Sequence, residues 1–326
     1  MTASNGAYVY YPGCSLQASA HSYDISTKRV AERLNLTFNE IDDWNCCGAT
    51  EYFSLNALPA YSLVARNLAL AAQTGGAPEL VAPCSACYLN LRKTNDYMRK
   101  YPKLNQQVNQ ALAAGNLHYD AGSLHVRHLL DIVVQDVGYE RIGAEVTRSL
   151  QGMRVAPYYG CLIVRPDTGY NTEYPTHLDK LMTTLGATVV DFPMKTHCCG
   201  GHMTQISEGV AYELIRRILK NAADYGADAI VTLCPMCQLN LDAYQGQVNR
   251  TFGTDFNIPV LYFTQLMGIA FGMSPQELGF GSEVVSANGA LAQIGREEPE
   301  EHARPKRKDK QALPMPTLNG GGRSES

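Results

Sequence analysis

Short apolar runs alternate along the chain with longer amphipathic stretches, and the order recurs. Ala7–Tyr11 is a β-prone run that leads to a glycine, and helical spacing follows over Ala18–Leu34. Leu36–Ile41 reads as a second strand. Asn56–Gln73 is rich in alanine and leucine at helical spacing until Gly75-Gly76 stops it. Glu79–Ala82 is a brief buried strand, and helix resumes through Cys87–Tyr101. The second half runs the same way: strand over Arg154–Tyr159, helix over Pro175–Leu185, strand over Ala187–Phe192, helix over Glu208–Tyr225 and strand over Ala229–Leu233. Strands alternating with crossover helices predict parallel sheets, hence an α/β fold of two Rossmann-like repeats related by a pseudo-twofold axis. The expected division is an N-terminal repeat over 1–114, a bridging helical segment over 115–152 that includes the amphipathic stretch Leu124–Val137, a C-terminal repeat over 153–294, and a disordered tail over 295–326. In that tail an acidic run, Arg296–Glu301, is followed by a basic one, Arg304–Lys310, and by Gly320–Gly322.

The cysteines make the duplication explicit. They stand at 14, 46, 47, 84 and 87, and again at 161, 198, 199, 234 and 237, at offsets of 147, 152, 152, 150 and 150 residues. Each half reads Cys, a gap, Cys-Cys-Gly, a second gap, then Cys-x-x-Cys, and all 10 cysteines are used. Neighbouring residues repeat too. Tyr10-Tyr11-Pro12-Gly13-Cys14 matches Tyr158-Tyr159-Gly160-Cys161, and Asn45-Cys46-Cys47-Gly48 matches His197-Cys198-Cys199-Gly200. Cys84-Ser85-Ala86-Cys87-Tyr88-Leu89-Asn90-Leu91 matches Cys234-Pro235-Met236-Cys237-Gln238-Leu239-Asn240-Leu241. Both sets fall at the carboxyl ends of predicted strands, where open α/β sheets place their ligands.

Composition narrows the field of functions. A chain of 326 residues, 45% hydrophobic and 18% charged, suits a soluble globular protein with a sizeable core. A formal charge of −4 argues against nucleic-acid or polybasic membrane binding. The N-terminus reads as lacking a secretory signal and no apolar run is long enough to span a membrane, so a cytoplasmic protein is the expectation. In a reducing compartment, 10 thiols in such a chain point to metal ligation or redox chemistry rather than to a disulfide scaffold.

Adjacent cysteines point apart in both helices and strands, so directing both at one centre takes an irregular turn, which the following glycine permits. Cys-x-x-Cys at a strand-to-helix junction puts two sulfurs on one side of a helical turn, where exposed N–H groups favour thiolates. Five soft anionic ligands per half suit iron–sulfur clusters. Zinc would leave a fifth sulfur idle in each half, and thioredoxin-like dithiol chemistry would leave the six cysteines outside the two Cys-x-x-Cys pairs unexplained. Neither a ferredoxin-type cysteine run nor a dinucleotide or phosphate-loop fingerprint occurs, so the chain is expected to carry no flavin or NAD of its own and to exchange electrons through partners.

The repeated pattern resembles the paired cysteine-rich CCG domains of the B subunit of heterodisulfide reductase over roughly residues 7–270. The resemblance implies two non-cubane [4Fe–4S] clusters, one on Cys14, Cys46, Cys47, Cys84 and Cys87, the other on Cys161, Cys198, Cys199, Cys234 and Cys237. It implies a disulfide bound and split between the facing clusters, and two partners: a flavin-carrying protein like the family's A subunit, and a ferredoxin-like protein resembling its C subunit. The stretch Asp43–Thr50 and the polar tail look more like the heterodisulfide-reductase-like complex of sulfur-oxidising bacteria, whose sulfur travels on a lipoate-binding carrier. Splitting a disulfide consumes two protons, and His197, His202 and His21, which lie near the cysteine loops, are the candidate catalytic donors. Arg165 and Arg92-Lys93 are candidates for attracting an anionic substrate or a partner's acidic face, with ordinary solvated charge as their plainer role. His125 and His128 read as surface or interdomain residues, and the tyrosines before Cys14 and Cys161 as strand packing. Two rival functions remain open: an electron-relay CCG subunit of a membrane-linked dehydrogenase, and a zinc-stabilised scaffold.

Overall fold

The computed structural model describes residues 7–49, 52–75, 78–165 and 171–296. The expected disordered tail lies outside these apart from its first two residues. The first half runs β1 (Ala7–Tyr10), α1 (His21–Arg33), β2 (Thr37–Glu40), α2 (Tyr52–Leu55), α3 (Ala57–Gln73), β3 (Glu79–Ala82), α4 (Ser85–Lys100), α5 (Pro102–Leu112), β4 (His125–His128), α6 (Leu129–Asp131), a wide π-type turn over Ile132–Val137, and α7 (Tyr139–Ala144). The second runs β5 (Arg154–Tyr158), α8 (His177–Thr184), β6 (Thr188–Val189), α9 (Met203–Ile206), α10 (Glu208–Asp224), β7 (Ala229–Thr232), α11 (Pro235–Ala243), α12 (Gln245–Phe252), β8 (Val260–Tyr262) and α13 (Phe263–Ala270), followed by α14 (Asn288–Leu291).

Each half builds a four-stranded parallel sheet, in the orders β2-β1-β3-β4 and β6-β5-β7-β8. The central strands read as apolar runs because helices cover both faces: Ala229, Ile230, Val231 and Thr232 of β7 are all buried. Strand order reverses between β1 and β3, and between β5 and β7, which opens a crevice at the carboxyl end of each sheet. Cys14 follows β1 and Cys84 follows β3; Cys161 and Cys234 follow β5 and β7.

The structure corrects the sequence reading in three places. Leu124–Val137 does not begin as a helical bridge, because His125–His128 forms the fourth strand, paired with β3 from Glu79↔His125 to Ala82↔His128. Its polar members bond to neighbouring carboxylates: His125 Nδ1 lies 3.2 Å from Glu79 Oε1, and Arg127 pairs with Glu79 and Asp136. The counterpart β8, which pairs with β7, was not expected either: its three apolar residues run on into the apolar start of α13. Helix α1 starts at His21 rather than near Ala18, because Ser15 O accepts from both Ala18 N and Ala20 N and holds a tight turn there.

After its fourth strand, each half sends an arm to the other. The residue that ends the strand caps the arm: His128 caps α6 through a capping box with Asp131, and Tyr262 caps α13 through one with Gln265. Helix α13 lies on α1, where Ser26 Oγ and Thr264 Oγ1 hydrogen-bond at 2.7 Å. Tyr139 Oη of α7 donates to His177 O of α8 (3.2 Å). One hydrophobic core therefore runs through both halves, from Tyr8 to Ala290, and a smaller one serves the second sheet alone.

Candidate metal centres

In each half, the Cys-x-x-Cys pair is placed by the start of a helix. Cys84 and Cys234 are N-caps with extended backbones, and Cys87 and Cys237 occupy the third helical position. Those two positions share one side of the first turn, as the capping box also shows, and both pairs of sulfurs are buried there. Tyr88 N and Gln238 N close the first helical bonds onto Cys84 O and Cys234 O at 2.9 and 3.0 Å.

The single cysteine of each crevice approaches over a glycine. At Gly13 (φ +77°) and Gly160 (φ +68°) an added Cβ would lie 2.9 Å from Cys87 Sγ and from Cys237 Sγ respectively. Only a residue without a side chain lets the chain pass that close to the sulfur, in a left-handed conformation that L-residues avoid.

The vicinal pairs sit in loops braced from three sides. Tyr11 Oη donates to Asn45 O (2.7 Å) and Tyr158 Oη to His197 O (2.5 Å), so each tyrosine holds the carbonyl just before the pair. The two tyrosines are structural counterparts, each three residues ahead of its cysteine. Asn90 Nδ2 donates to Cys47 O (3.1 Å), and Asn240 Nδ2 donates to Cys199 O (3.2 Å) and Gly201 O (2.8 Å). In the first half Asn67, fully buried, both accepts from Asn45 N and donates to Asn45 O, each at 2.9 Å. In the second half Lys195 takes over the bracing: its carbonyl accepts from Tyr159 N and Gly160 N (2.8 and 3.1 Å). The Lys195 ammonium is buried at 2% exposure and paired with Asp179, which also accepts from Tyr159 Oη (2.7 Å). The glycines after the vicinal pairs, Gly48 and Gly200, have positive φ, as the irregular turn requires.

Thiols lie close together in both halves. Cys14 Sγ stands 3.6 Å from Cys46 Sγ, Cys47 Sγ 3.4 Å from Cys87 Sγ, and Cys199 Sγ 3.5 Å from Cys237 Sγ; Cys161 and Cys198 line the same cavity. Across the pseudo-twofold axis the two sets of five approach each other at their first Cys-x-x-Cys cysteines: one hydroxyl, that of Tyr23, lies within 3.2 and 3.4 Å of the carbonyls just before Cys84 and Cys234. The hydrogen bond from Cys14 pulls the Cys46 thiol down to about 2, and the bond from Cys161, helped by backbone N–H of Gly200 and the charge of Arg165, pulls Cys198 down to about 6. Their donors Cys14 and Cys161 move up correspondingly. The first vicinal cysteine of each crevice is thus the one whose surroundings favour the thiolate, the form in which a thiol ligates metal.

Among the described residues, no group of three or more His, Cys, Asp or Glu is arranged around a single ion's position. The donor set instead suits a larger soft group: five sulfurs per crevice, glycines cut away beside Cys87 and Cys237, and in the second half a cavity of about 140 Å³. That cavity is lined by the second set of cysteines with Tyr159, Met236 and His202, and by Ala49, Ser85 and Ala86 from the first half. His202, half-buried, faces this cavity. His197 is exposed and contributes its backbone carbonyl to the loop. His21 opens α1 at the surface, in a separate polar groove with Gln17, Asp24, Lys28 and Glu40. His125 is exposed, whereas His128 is fully buried between the halves. The braces Asn90 and Asn240 were visible as a repeated asparagine three residues after each Cys-x-x-Cys; Asn67, Lys195 and Asp179 have no counterpart in the other copy and gave no such signal.

A duplicated parallel α/β unit that gathers five thiols in each crevice defines a cysteine-rich protein built of two matching domains. The chain belongs to the CCG cysteine-rich domain family, whose profile matches residues 8–92 and 155–242. It is 35% identical over 283 residues to the 8-methylmenaquinol:fumarate reductase membrane anchor subunit of Wolinella succinogenes, spanning 86% of this chain and 97% of that one. It is 31% identical to the B subunit of the ferredoxin/F(420)H(2)-dependent CoB-CoM heterodisulfide reductase of Methanosarcina acetivorans (87% and 95% of the two chains). A protein of Archaeoglobus profundus described as like the B subunit of heterodisulfide reductase is 26% identical (83% and 92%). Among solved structures, a hypothetical protein from Helicobacter pylori shares the fold with a TM-score of 0.68 at 15% identity, covering 86% of this chain and 52% of that one. No helix among the described residues is long and apolar enough to cross a membrane.

Proposed function

We propose that this protein is the iron–sulfur subunit of a multi-subunit oxidoreductase and carries out two-electron chemistry on sulfur groups between two non-cubane [4Fe–4S] clusters. Cys14, Cys46, Cys47, Cys84 and Cys87 would hold one cluster, and Cys161, Cys198, Cys199, Cys234 and Cys237 the other. The observation that carries this reading is that two complete five-sulfur sets adjoin one another: the cavity lined by the second set also touches Ser85 and Ala86 of the first set's Cys-x-x-Cys turn, and one Tyr23 hydroxyl reaches the carbonyls before both Cys84 and Cys234. When bound, the clusters would supply one electron each, and cleavage of R–S–S–R′ with two electrons and two protons gives two thiols. His202 is the histidine on the cavity wall and the best-placed proton donor of the three candidates. Flavin-bearing A-like and ferredoxin-like C-like partner proteins would complete the electron path, in the cytoplasm, with a low-molecular-weight disulfide or a lipoate-bound sulfur carrier as substrate.

The first test is iron, zinc and acid-labile sulfide per chain on anaerobically purified protein. Two four-iron clusters correspond to roughly eight irons with matching sulfide; zinc alone refutes the reading in favour of a scaffold. The second test is Cys199→Ala. Thiol-linked electron transfer by the assembled complex should be lost, and undiminished transfer would remove the second centre from the chemistry.

A second reading is favoured by the 35% identity to a component of a quinol:fumarate reductase: an electron relay between a quinol and a dehydrogenase. It predicts the same metal content, reduction of the loaded protein by a menaquinol analogue, and no oxidation by disulfides.

A further inference from the structure

The two Cys-x-x-Cys turns approach each other across the pseudo-twofold axis, and one side chain reaches both. Tyr23, on α1 of the first half, is fully buried. Its hydroxyl donates to Pro83 O at 3.2 Å and to Leu233 O at 3.4 Å. These are the carbonyls immediately before Cys84 and Cys234, one from each half. The ring of Tyr23 stacks on Tyr262 of the second half, with centroids 4.2 Å apart and planes 3° from parallel. Phe263 meets the same ring edge-on at 6.1 Å. Packing therefore leaves the ring little freedom, and the hydroxyl is fixed at the seam.

We propose that Tyr23 is a positioning residue that sets the separation of the two metal centres. The proposal rests on the two-centre reading above. A hydroxyl has one proton, so the donor is shared between two acceptors that belong to different halves. Lengthening the gap between Pro83 O and Leu233 O would leave one of them with a buried, weakened bond, which is costly in an apolar surround. The approach of Cys84 to Cys234 moves with these carbonyls, because each is one residue away from its cysteine. Tyr262 supplies the stacked face but not the clamp: its own hydroxyl turns away to Gln238 Oε1 at 3.4 Å.

The test compares Tyr23→Phe with Tyr262→Phe in the loaded full-length chain. Both keep the stacked rings, and only the first removes the shared donor. Iron per chain should match wild type in both. Low-temperature electron paramagnetic resonance of the reduced protein should show altered spin–spin interaction between the centres in Tyr23→Phe. Its relaxation should move toward that of Cys199→Ala, where the first centre stands alone. Tyr262→Phe should reproduce wild type. Relaxation in Tyr23→Phe identical to wild type overturns the proposal. So does loss of iron from one half, which would make Tyr23 a support of that half alone. A wild-type chain with fewer than two paramagnetic centres refutes the two-centre reading itself, a separate result from either failure of the clamp.

Discussion

Replacing Gly160 by alanine tests whether the left-handed glycine is there for the backbone or for the sulfur. Two costs are expected. Gly160 has φ +68°, and an L-residue in that region costs about 1–2 kcal/mol. The new Cβ would also stand 2.9 Å from Cys237 Sγ, which is buried and braced at the start of α11, so it cannot retreat freely. Overpacking of this kind costs about 1–3 kcal/mol, for about 2–5 kcal/mol in total. Gly253 provides the control: its φ is +65° and an added Cβ would meet nothing within 4 Å. Gly253→Ala should therefore cost only the backbone share of about 1–2 kcal/mol. The assay is equilibrium unfolding in guanidinium under anaerobic, reducing conditions, followed by circular dichroism. The double variant Gly160→Ala with Cys237→Ala should show the glycine substitution falling back to the cost seen at Gly253, since the opposing sulfur is gone. Equal costs for the two single substitutions would refute the reasoning, because the close approach to Cys237 would then carry no energy.

Removing one partner of the buried ion pair should be expensive. Asp179→Ala strands Lys195 at 2% exposure and should cost about 3–5 kcal/mol by the same unfolding assay, whereas Lys195→Met, which leaves Asp179 held by Tyr159 Oη, should cost clearly less. Glu213 on α10 accepts from Arg216 and Arg217, whose hydrogen bonds lower its carboxyl to about 2 from an ordinary 4.5. Its folded-state value lies below the unfolded one, so its stabilisation is complete above pH 4.5 and lost as pH falls toward 2. These groups are largely solvated, so Glu213→Gln should cost less than about 1 kcal/mol at pH 7 and clearly less at pH 2, where the folded-state carboxyl is about half protonated, read from unfolding curves at the two pH values.

The cysteine repeat, the parallel α/β class and most central elements were legible because each rests on local information. β7 is an apolar run of buried residues, and a doubled cysteine signature needs no tertiary context. Strand β4 was not legible because it carries mixed residues: His125 and Arg127 look like a polar helix face until Glu79 and Asp136 are placed beside them. Strand β8 was missed for the opposite reason: its three buried apolar residues run straight into the apolar start of α13, so no change of period separates them. The site shows the same division. The sulfurs could be named from spacing, but their braces could not. Lys195 reads as a surface charge from sequence alone, and only the fold brings Asp179 to it and closes both beneath Tyr159. Tyr23 lies 60 and 210 residues from the carbonyls it joins, a separation beyond the reach of any local pattern.

The exchanged arms have a consequence for symmetry. Two separate copies of one half, related by a true twofold axis, would have to place the same side chain on both sides of that axis. Their association would also depend on concentration. Joining the copies in one chain makes the pairing intramolecular and removes the dependence on dilution. It also frees the two sides to differ. The residue that ends the fourth strand and caps the exchanged arm is His128 on one side and Tyr262 on the other. Tyr262 meets an aromatic ring face to face, whereas the buried His128 meets Tyr88 edge-on. Fusion therefore lets this protein hold its two sets of five cysteines in nearly identical frames with chemically inequivalent surroundings, a polarity that no homodimer of the half could maintain.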